Sequence, residues 1–185
     1  MRAQPILILA IGVAALVGCQ QAPSQAPAAP STVSSTAVAM STAEVPFHSE
    51  VAWTKTPGSD VSQCLRPAPA GKVYLARNTN TGIAVSSQLG EGPFVIHTCV
   101  YGTPGKPEGW LADISWTAAN GDVLLATSDF QYWTGTPGQS VAVDTVKFQN
   151  GGTGRFTLAE GEGMCYVNAP AKTAIYDGTL RYSRK

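Results

Sequence analysis

The apolar positions of this chain repeat every second residue, which is the period of β-strands. Residues 112–117 alternate alanine, isoleucine and tryptophan with aspartate, serine and threonine, and residues 176–183 show a similar alternation. This pattern is typical of strands with one buried face. No segment of the predicted domain sustains the 3.6-residue period of an amphipathic helix. The pattern therefore predicts an all-β domain.

Turn-forming residues divide this pattern into hairpins. Asn120-Gly121 is a strong hairpin signal, and residues 78–82, 90–93 and 150–154 are also predicted as turns. The strands predicted around them include 72–77, 83–89, 94–101, 123–133, 141–149 and 155–158. About eight strands in hairpin order predict an antiparallel up-and-down barrel, either filled by side chains or open to one small ligand. A two-sheet β-sandwich is the alternative.

Two segments of different composition precede the predicted domain. Arg2 is followed by an apolar run that ends at Cys19, shorter than the about 20 apolar residues of a membrane-spanning helix. Residues 20–43 are almost entirely Gln, Ala, Pro, Ser, Thr and Val without a charge, a composition that does not form a core. We expect a signal peptide at 1–18, a lipidated cysteine and flexible tether at 19–44, and the β-barrel domain at 45–185.

The residues Leu16-Val17-Gly18-Cys19 resemble the lipobox of bacterial lipoproteins. The resemblance implies that Cys19 becomes the amino terminus and carries acyl chains such as palmitate, which anchor the protein to a membrane. Gln20 stands where that family has an aspartate in proteins retained in the inner membrane. The expected location is therefore the outer membrane of a bacterial envelope. An ordinary signal peptide with an accidental cysteine is the alternative.

Charge gives no sign of a nucleic-acid partner. The 185 residues contain 12 basic and 12 acidic side chains, so the formal net charge is zero. Nucleic-acid binding and polybasic membrane contact both need a cationic patch. We expect no nucleic-acid partner, and the sequence identifies no protein partner.

Three cysteines follow Cys19 in the chain. An exported domain meets an oxidising compartment, where a disulfide is expected. Sequence alone does not choose among the three pairings. We favour Cys64–Cys99, because both residues lie in the first half of the domain and flank one predicted hairpin. Cys165 would then be a buried thiol.

The glycine-rich run at residues 151–156 (GGTGRF) is the most conspicuous motif of the domain. It lacks the Gly-Lys-Ser/Thr and following helix of a phosphate-binding loop, so we interpret it as a tight turn. Together with residues 117–122 and 176–180 it resembles bacterial secreted proteins that look like members of the allene oxide cyclase-like β-barrel group, similar in shape to dirigent proteins and lipocalins. This resemblance covers residues 45–184 and implies a barrel. Residues 159–161 depart from the group's pattern, and no catalytic residue is carried over.

Metal-ligand and catalytic patterns are weak. His48 and Glu50, and likewise His97 and Cys99, are spaced to share one face of a strand. The sequence lacks Cys-x-x-Cys or His-x-x-x-His spacing, and it has no Gly-x-Ser-x-Gly elbow. We therefore assign no metal site, no cofactor and no catalytic residue.

The aromatic residues are the remaining indication of function. Trp53, Trp116, Trp133 and Tyr176 are candidates to face a ligand in the barrel, with core packing as the alternative. The expected function is a non-catalytic envelope lipoprotein whose tethered barrel binds a small apolar ligand or a protein partner. Two alternatives are an isomerase or cyclase acting on an apolar molecule inside the barrel, and a purely structural envelope protein.

Overall fold

The computed structural model describes residues 43–58, 60–136 and 140–182. The predicted signal peptide, Cys19 and nearly all of the predicted tether lie outside these residues. No helix in the described part is long and apolar enough to cross a membrane. The eight strands are β1 (Val45–Gly58), β2 (Val73–Ser86), β3 (Gly90–Thr103), β4 (Lys106–Thr117), β5 (Val123–Thr134), β6 (Val141–Gln149), β7 (Glu160–Asn168) and β8 (Thr173–Arg181). Short 3-10 helices lie at Val61–Gln63 and Gly154–Phe156.

The strands form one closed antiparallel barrel. Each strand pairs with the next along the chain, and β8 pairs with β1, with Val45 opposite Leu180 and Ser49 opposite Tyr176. Closure leaves no free sheet edge, whereas a sandwich would leave its outer strands unpaired. The predicted up-and-down barrel of eight strands is confirmed, and the sandwich alternative is wrong.

One end of the barrel, which we call the filled end, is closed by packed side chains. Phe156, from the β6–β7 connection, is fully buried, and its ring lies 5.0 Å from that of Tyr182. The Arg155 guanidinium lies 4.8 Å from the Phe156 ring and donates a 2.6 Å hydrogen bond to the carbonyl of Gln88. This connection therefore seals the end of the barrel where β1 begins and β8 ends.

An aromatic core extends inward from the filled end. The Phe47 ring makes edge contacts with Trp116 and Phe148, at centroid distances of 5.6 and 4.8 Å. Trp116 also packs edge-on against Tyr176 at 5.1 Å. Large rings in edge-to-face contact fill the interior over this half of the strands. The opposite end, where β1 ends and β8 begins, is the open end.

Two of the predicted turns lie inside strands. Residues 78–82 belong to β2 and residues 90–93 to β3, so the β2–β3 turn spans only 87–89. A Cβ at Gly82 would lie 1.9 Å from the carbonyl oxygen of Ala52, and one at Gly92 would lie 2.0 Å from that of Thr117. These glycines are required where neighbouring backbones approach closely in a curved sheet, and not for reversing the chain.

The connection between β6 and β7 also differs from its prediction. The strand predicted at 155–158 is wrong, because this stretch holds a 3-10 helix and the next strand begins at Glu160. The glycine run forms a tight turn as predicted, with φ of 99° at Gly151 and 55° at Gly154. Gly161 and Gly163 interrupt the apolar alternation of β7, so the sequence pattern concealed this strand.

A disulfide fastens the β1–β2 connection to the outer face of the barrel. It joins Cys64 to Cys99 on β3, the pairing favoured from the sequence, with the two Cα atoms 5.9 Å apart. On the same connection, Arg66 pairs with Asp129 and donates 2.9 Å hydrogen bonds to the carbonyls of Ala112 and Ser128. This connection therefore lies against β3, β4 and β5.

Candidate ligand site

A cavity of about 350 Å³ enters the barrel at the open end. All eight strands contribute to its wall, which is mainly apolar. Five aromatic side chains line it: Trp53, Phe94, Trp110, Trp133 and Tyr176. Pockets that enclose small organic ligands have volumes of about 300–1,000 Å³ and mostly apolar walls. The cavity has the size and lining of a site for a small ligand.

Two of the lining rings, those of Trp110 and Trp133, pack with Phe130 in a cluster on β4 and β5. The Trp110 ring lies 4.7 Å from Phe130 and 5.6 Å from Trp133, and Phe130 lies 5.8 Å from Trp133. Trp133 remains half-exposed, so its ring extends the wall toward solvent. Rings that support one another in this way form a preorganised apolar surface.

A buried carboxyl group lies in this wall. Asp144, in the inward row of β6, is only 1 % exposed. Its Oδ2 accepts a 2.8 Å hydrogen bond from Trp110 Nε1 and a 3.1 Å bond from the Ser128 hydroxyl. Its Oδ1 is also buried but accepts no hydrogen bond from the described residues. Burial raises the pKa of Asp144 to about 6, against the two hydrogen bonds that lower it.

Two more titratable groups lie beside Asp144 on the adjacent strands. The register places Asp144 opposite Cys165, and Cys165 opposite Tyr176, so the three residues form one row across β6, β7 and β8. Burial raises the pKa of the Cys165 thiol and that of the Tyr176 hydroxyl well above their ordinary values. Both groups are therefore neutral at physiological pH, and Cys165 is not an activated nucleophile.

The rim of the cavity carries charged groups of both signs. Lys55 and Lys172 are exposed, while Glu108 is ion-paired with Lys72 at 2.5 Å. The hydrogen bond from Lys72 lowers the pKa of Glu108, so this carboxylate stays ionised. The charged rim surrounds an aromatic interior in which Asp144 is the buried carboxyl group of the described lining residues.

Three of the four aromatic candidates from the sequence line this cavity. Trp53, Trp133 and Tyr176 belong to its wall, but Trp116 does not. The Trp116 ring is 1 % exposed, and it packs between Phe47 and Tyr176 on the side of the filled end. The assignment of Trp116 as ligand-facing is therefore corrected to core packing.

Asp144 is the important residue that the sequence analysis missed. The signal was present, since an aspartate interrupts the apolar inward positions of Val141–Gln149. Asn78 and Asn80 were missed for another reason. They line the cavity from β2, where the sequence predicted a turn.

The residue pairs considered as metal ligands lie on the outer face and bind other groups. His48 Nδ1 lies 2.6 Å from Asp177 Oδ1, and this hydrogen bond raises the pKa of His48. His97 contacts the Thr79 hydroxyl at 3.1 Å, and its neighbour Cys99 is in the disulfide. Among the described residues, no three His, Cys, Asp or Glu side chains are grouped to hold a metal ion.

No protein-family model, curated protein or solved structure matches this chain. The resemblance to the allene oxide cyclase-like group therefore stays a prediction from the quoted motifs.

Proposed function

We propose that the barrel binds a small, mainly apolar molecule in the cavity at its open end. The observation that carries this proposal is the aromatic cavity itself, because a barrel with only a structural role has no need of an unfilled interior. The filled end shows that this chain has large side chains with which to close a barrel. At the open end the inward side chains line a space instead of occupying it.

Native mass spectrometry of the protein isolated from its own host tests this proposal. We expect a small-molecule adduct on the natural protein that Val100→Trp removes, because Val100 lines the cavity and a tryptophan there would fill it. Val85→Trp is the matched control, because Val85 is 57 % exposed on the outer face of β2. Circular dichroism would establish that both variants fold.

The purely structural alternative predicts a different result. If the natural protein carries no adduct and binds no member of a panel of neutral apolar probes, ligand binding is refuted. An adduct that survives Val100→Trp would place the binding site elsewhere on the barrel.

We further propose that the barrel acts while tethered to a membrane through acylated Cys19. The lipobox-like residues before Cys19 and the uncharged tether after it support this proposal. Mass spectrometry of the mature amino terminus tests it: the mass of an acylated Cys19 is expected. An unmodified cysteine or cleavage at another residue would contradict it. Cys19→Ala should release the barrel from the membrane fraction.

A second candidate function is isomerisation of the bound molecule, with Asp144 as the acid–base group. A carboxyl with a pKa near 6 inside an apolar cavity is suited to take a proton from one carbon of a ligand and return it to another. Incubation of the co-purified molecule with the protein in deuterium oxide would reveal this activity as mass gain in the ligand. Absence of exchange, or equal exchange with Asp144→Asn, would exclude this role.

A further inference from the structure

We propose that the cavity selects molecules that carry an ammonium group on an apolar body, and that Asp144 binds the ammonium group. This inference depends on the proposed ligand-binding function and assigns its chemical class. Three observations support it: one oxygen of the Asp144 carboxyl has no hydrogen-bond partner among the described residues, no positive charge pairs with this carboxyl, and aromatic rings line the cavity.

One oxygen of the Asp144 carboxyl, Oδ1, lacks a partner among the described residues in either protonation state. As a carboxylate, its Oδ1 is buried without a donor. As a neutral acid with the proton on Oδ1, it would lack an acceptor for that proton within the described residues. Buried polar groups nearly always find a hydrogen-bond partner, and an unmet one is costly. A donor from a bound ligand would complete the site, since Asp144 belongs to the cavity wall.

The surroundings of Asp144 favour a positively charged donor over a neutral one. No lysine, arginine or histidine of the described residues contacts Asp144, whose hydrogen-bond partners Trp110 and Ser128 are both neutral. The charge that acts on it is that of Asp129, which raises the pKa of Asp144 further. An ammonium group would supply the missing counterion in a low-dielectric interior, where charge-assisted hydrogen bonds are strongest.

The aromatic wall supports the same ligand class. Trp110 donates its N–H to Asp144, so the edge of this indole lies next to the carboxyl, and Trp133 packs edge-to-face with the same ring. Aromatic faces attract ammonium groups, and more strongly when the site excludes water. Lys55 and Lys172 at the rim would repel an ammonium group, which places it at the Asp144 end of the cavity and the apolar body toward the rim.

The proposal predicts a specific pH dependence of binding. The titratable groups that interact electrostatically with Asp144 are Tyr101 on β3, Asp129 on β5, Cys165 on β7 and Tyr176 on β8. Burial raises the pKa of both tyrosines and of the cysteine, so they stay neutral near pH 6. Asp129 is ion-paired with Arg66.

Because an ammonium group binds the ionised carboxylate, its affinity rises with pH through about 6 and then stays level for as long as the amine remains protonated. The fall from pH 7 to pH 5 should be about tenfold.

The experiment compares three probes of equal shape by calorimetry: 2-phenylethylamine, 2-phenylethanol and phenylacetate, with the hexyl amine, alcohol and acid as a second set. We expect the amine to bind at least about tenfold more tightly than the alcohol at pH 7. Asp144→Asn should abolish that preference and the pH dependence while leaving alcohol binding in place. Asp177→Asn, on the exposed outer face of β8, is the matched control and should preserve both.

The outcomes separate this inference from the proposed function. Equal affinity for amine and alcohol, or tightest binding of the acid at the rim lysines, would overturn the ammonium selectivity while the binding function stands. If no probe of either set binds, the ammonium selectivity fails, and the adduct experiment on the natural protein decides the binding function. If Asp144→Asn does not fold, the pH profile of the natural protein decides, since an amine affinity that does not change between pH 5 and 7 would contradict the role of Asp144.

Discussion

The filled end and the open end of this barrel use the same eight strands but differ in what their inward side chains do. At the filled end Phe156 enters from the β6–β7 connection and Tyr182 from the segment after β8, and their rings pack together and close the barrel. At the open end Trp53 and Trp133 line a space, and a carboxyl group lies among the aromatic rings. The comparison separates the residues that stabilise the barrel from those that are available for a ligand.

The largest expected contrast comes from removing one phenylalanine at each end. Phe156→Ala should lower the free energy of unfolding by about 3–5 kcal/mol, because the ring is fully buried and leaves a cavity. Phe130→Ala at the open end should cost roughly 1–2 kcal/mol, because its ring is only partly buried. Urea unfolding of both variants measures the difference. Equal losses would contradict the division between the two ends.

The disulfide should have the next largest effect. Reduction of Cys64–Cys99 frees a loop of 35 residues, and the chain-entropy account gives a loss of about 3–4 kcal/mol. The measurement is urea unfolding with and without a reductant. Cys64→Ser should show the loss without reductant, whereas Cys165→Ala is the control in which the effect of reduction persists. A reductant without effect on the natural protein would mean that the bond contributes little.

Asp144 should make the barrel less stable as pH rises, unlike the usual ionised aspartate. Its folded pKa of about 6 lies above the ordinary 3.8, so the unfolded chain loses its proton first. The stability is therefore fully present below the ordinary pKa and is lost as pH rises through about 6, by roughly 2–3 kcal/mol. Asp144→Asn should remove this loss and exceed the natural protein in stability at pH 8. If the difference in unfolding free energy between the natural protein and Asp144→Asn is the same at every pH, this prediction is wrong.

The smallest expected contrast concerns one turn glycine from each end. Gly154→Ala at the filled end combines a φ of +55° with a Cβ placed 1.8 Å from the Asp122 carboxyl, so we expect a loss of about 2 kcal/mol or more. Gly105→Ala in the β3–β4 turn has a φ of +80° but open space around the Cβ. Its loss should be about 1 kcal/mol. Thermal unfolding of both variants would show whether the contact between the new Cβ and Asp122 adds to the cost of the positive φ.

The sequence predicted the fold more fully than the site, for a physical reason. Alternation along strands such as β4 reports which face is buried, and Asn120-Gly121 reports a turn, so both are legible locally. Gly82 and Gly92 were misread because their role depends on the approach of a neighbouring strand, which no local pattern records.

The local pattern does not show which inward residues line the cavity. Trp53 and Trp116 occupy equivalent inward positions in the pattern, but one lines the cavity and the other is core. The depth of a residue along the barrel axis decides between them, and this depth follows from the strand register. Asp144 could have been found as an acidic residue among the apolar inward positions of β6, but its partner Trp110 lies 34 positions away in the chain.

The even number of strands has a practical consequence for how this protein can be handled. The chain enters the sheet at Val45 and leaves it beside Leu180, so both described chain ends meet at the filled end, with the cavity mouth at the far side. Attaching the domain to a sensor chip or a fluorescent fusion directly beside Val45 or Leu180 therefore places the attachment point away from the mouth. Measured on-rates in such formats should match those of the protein in solution.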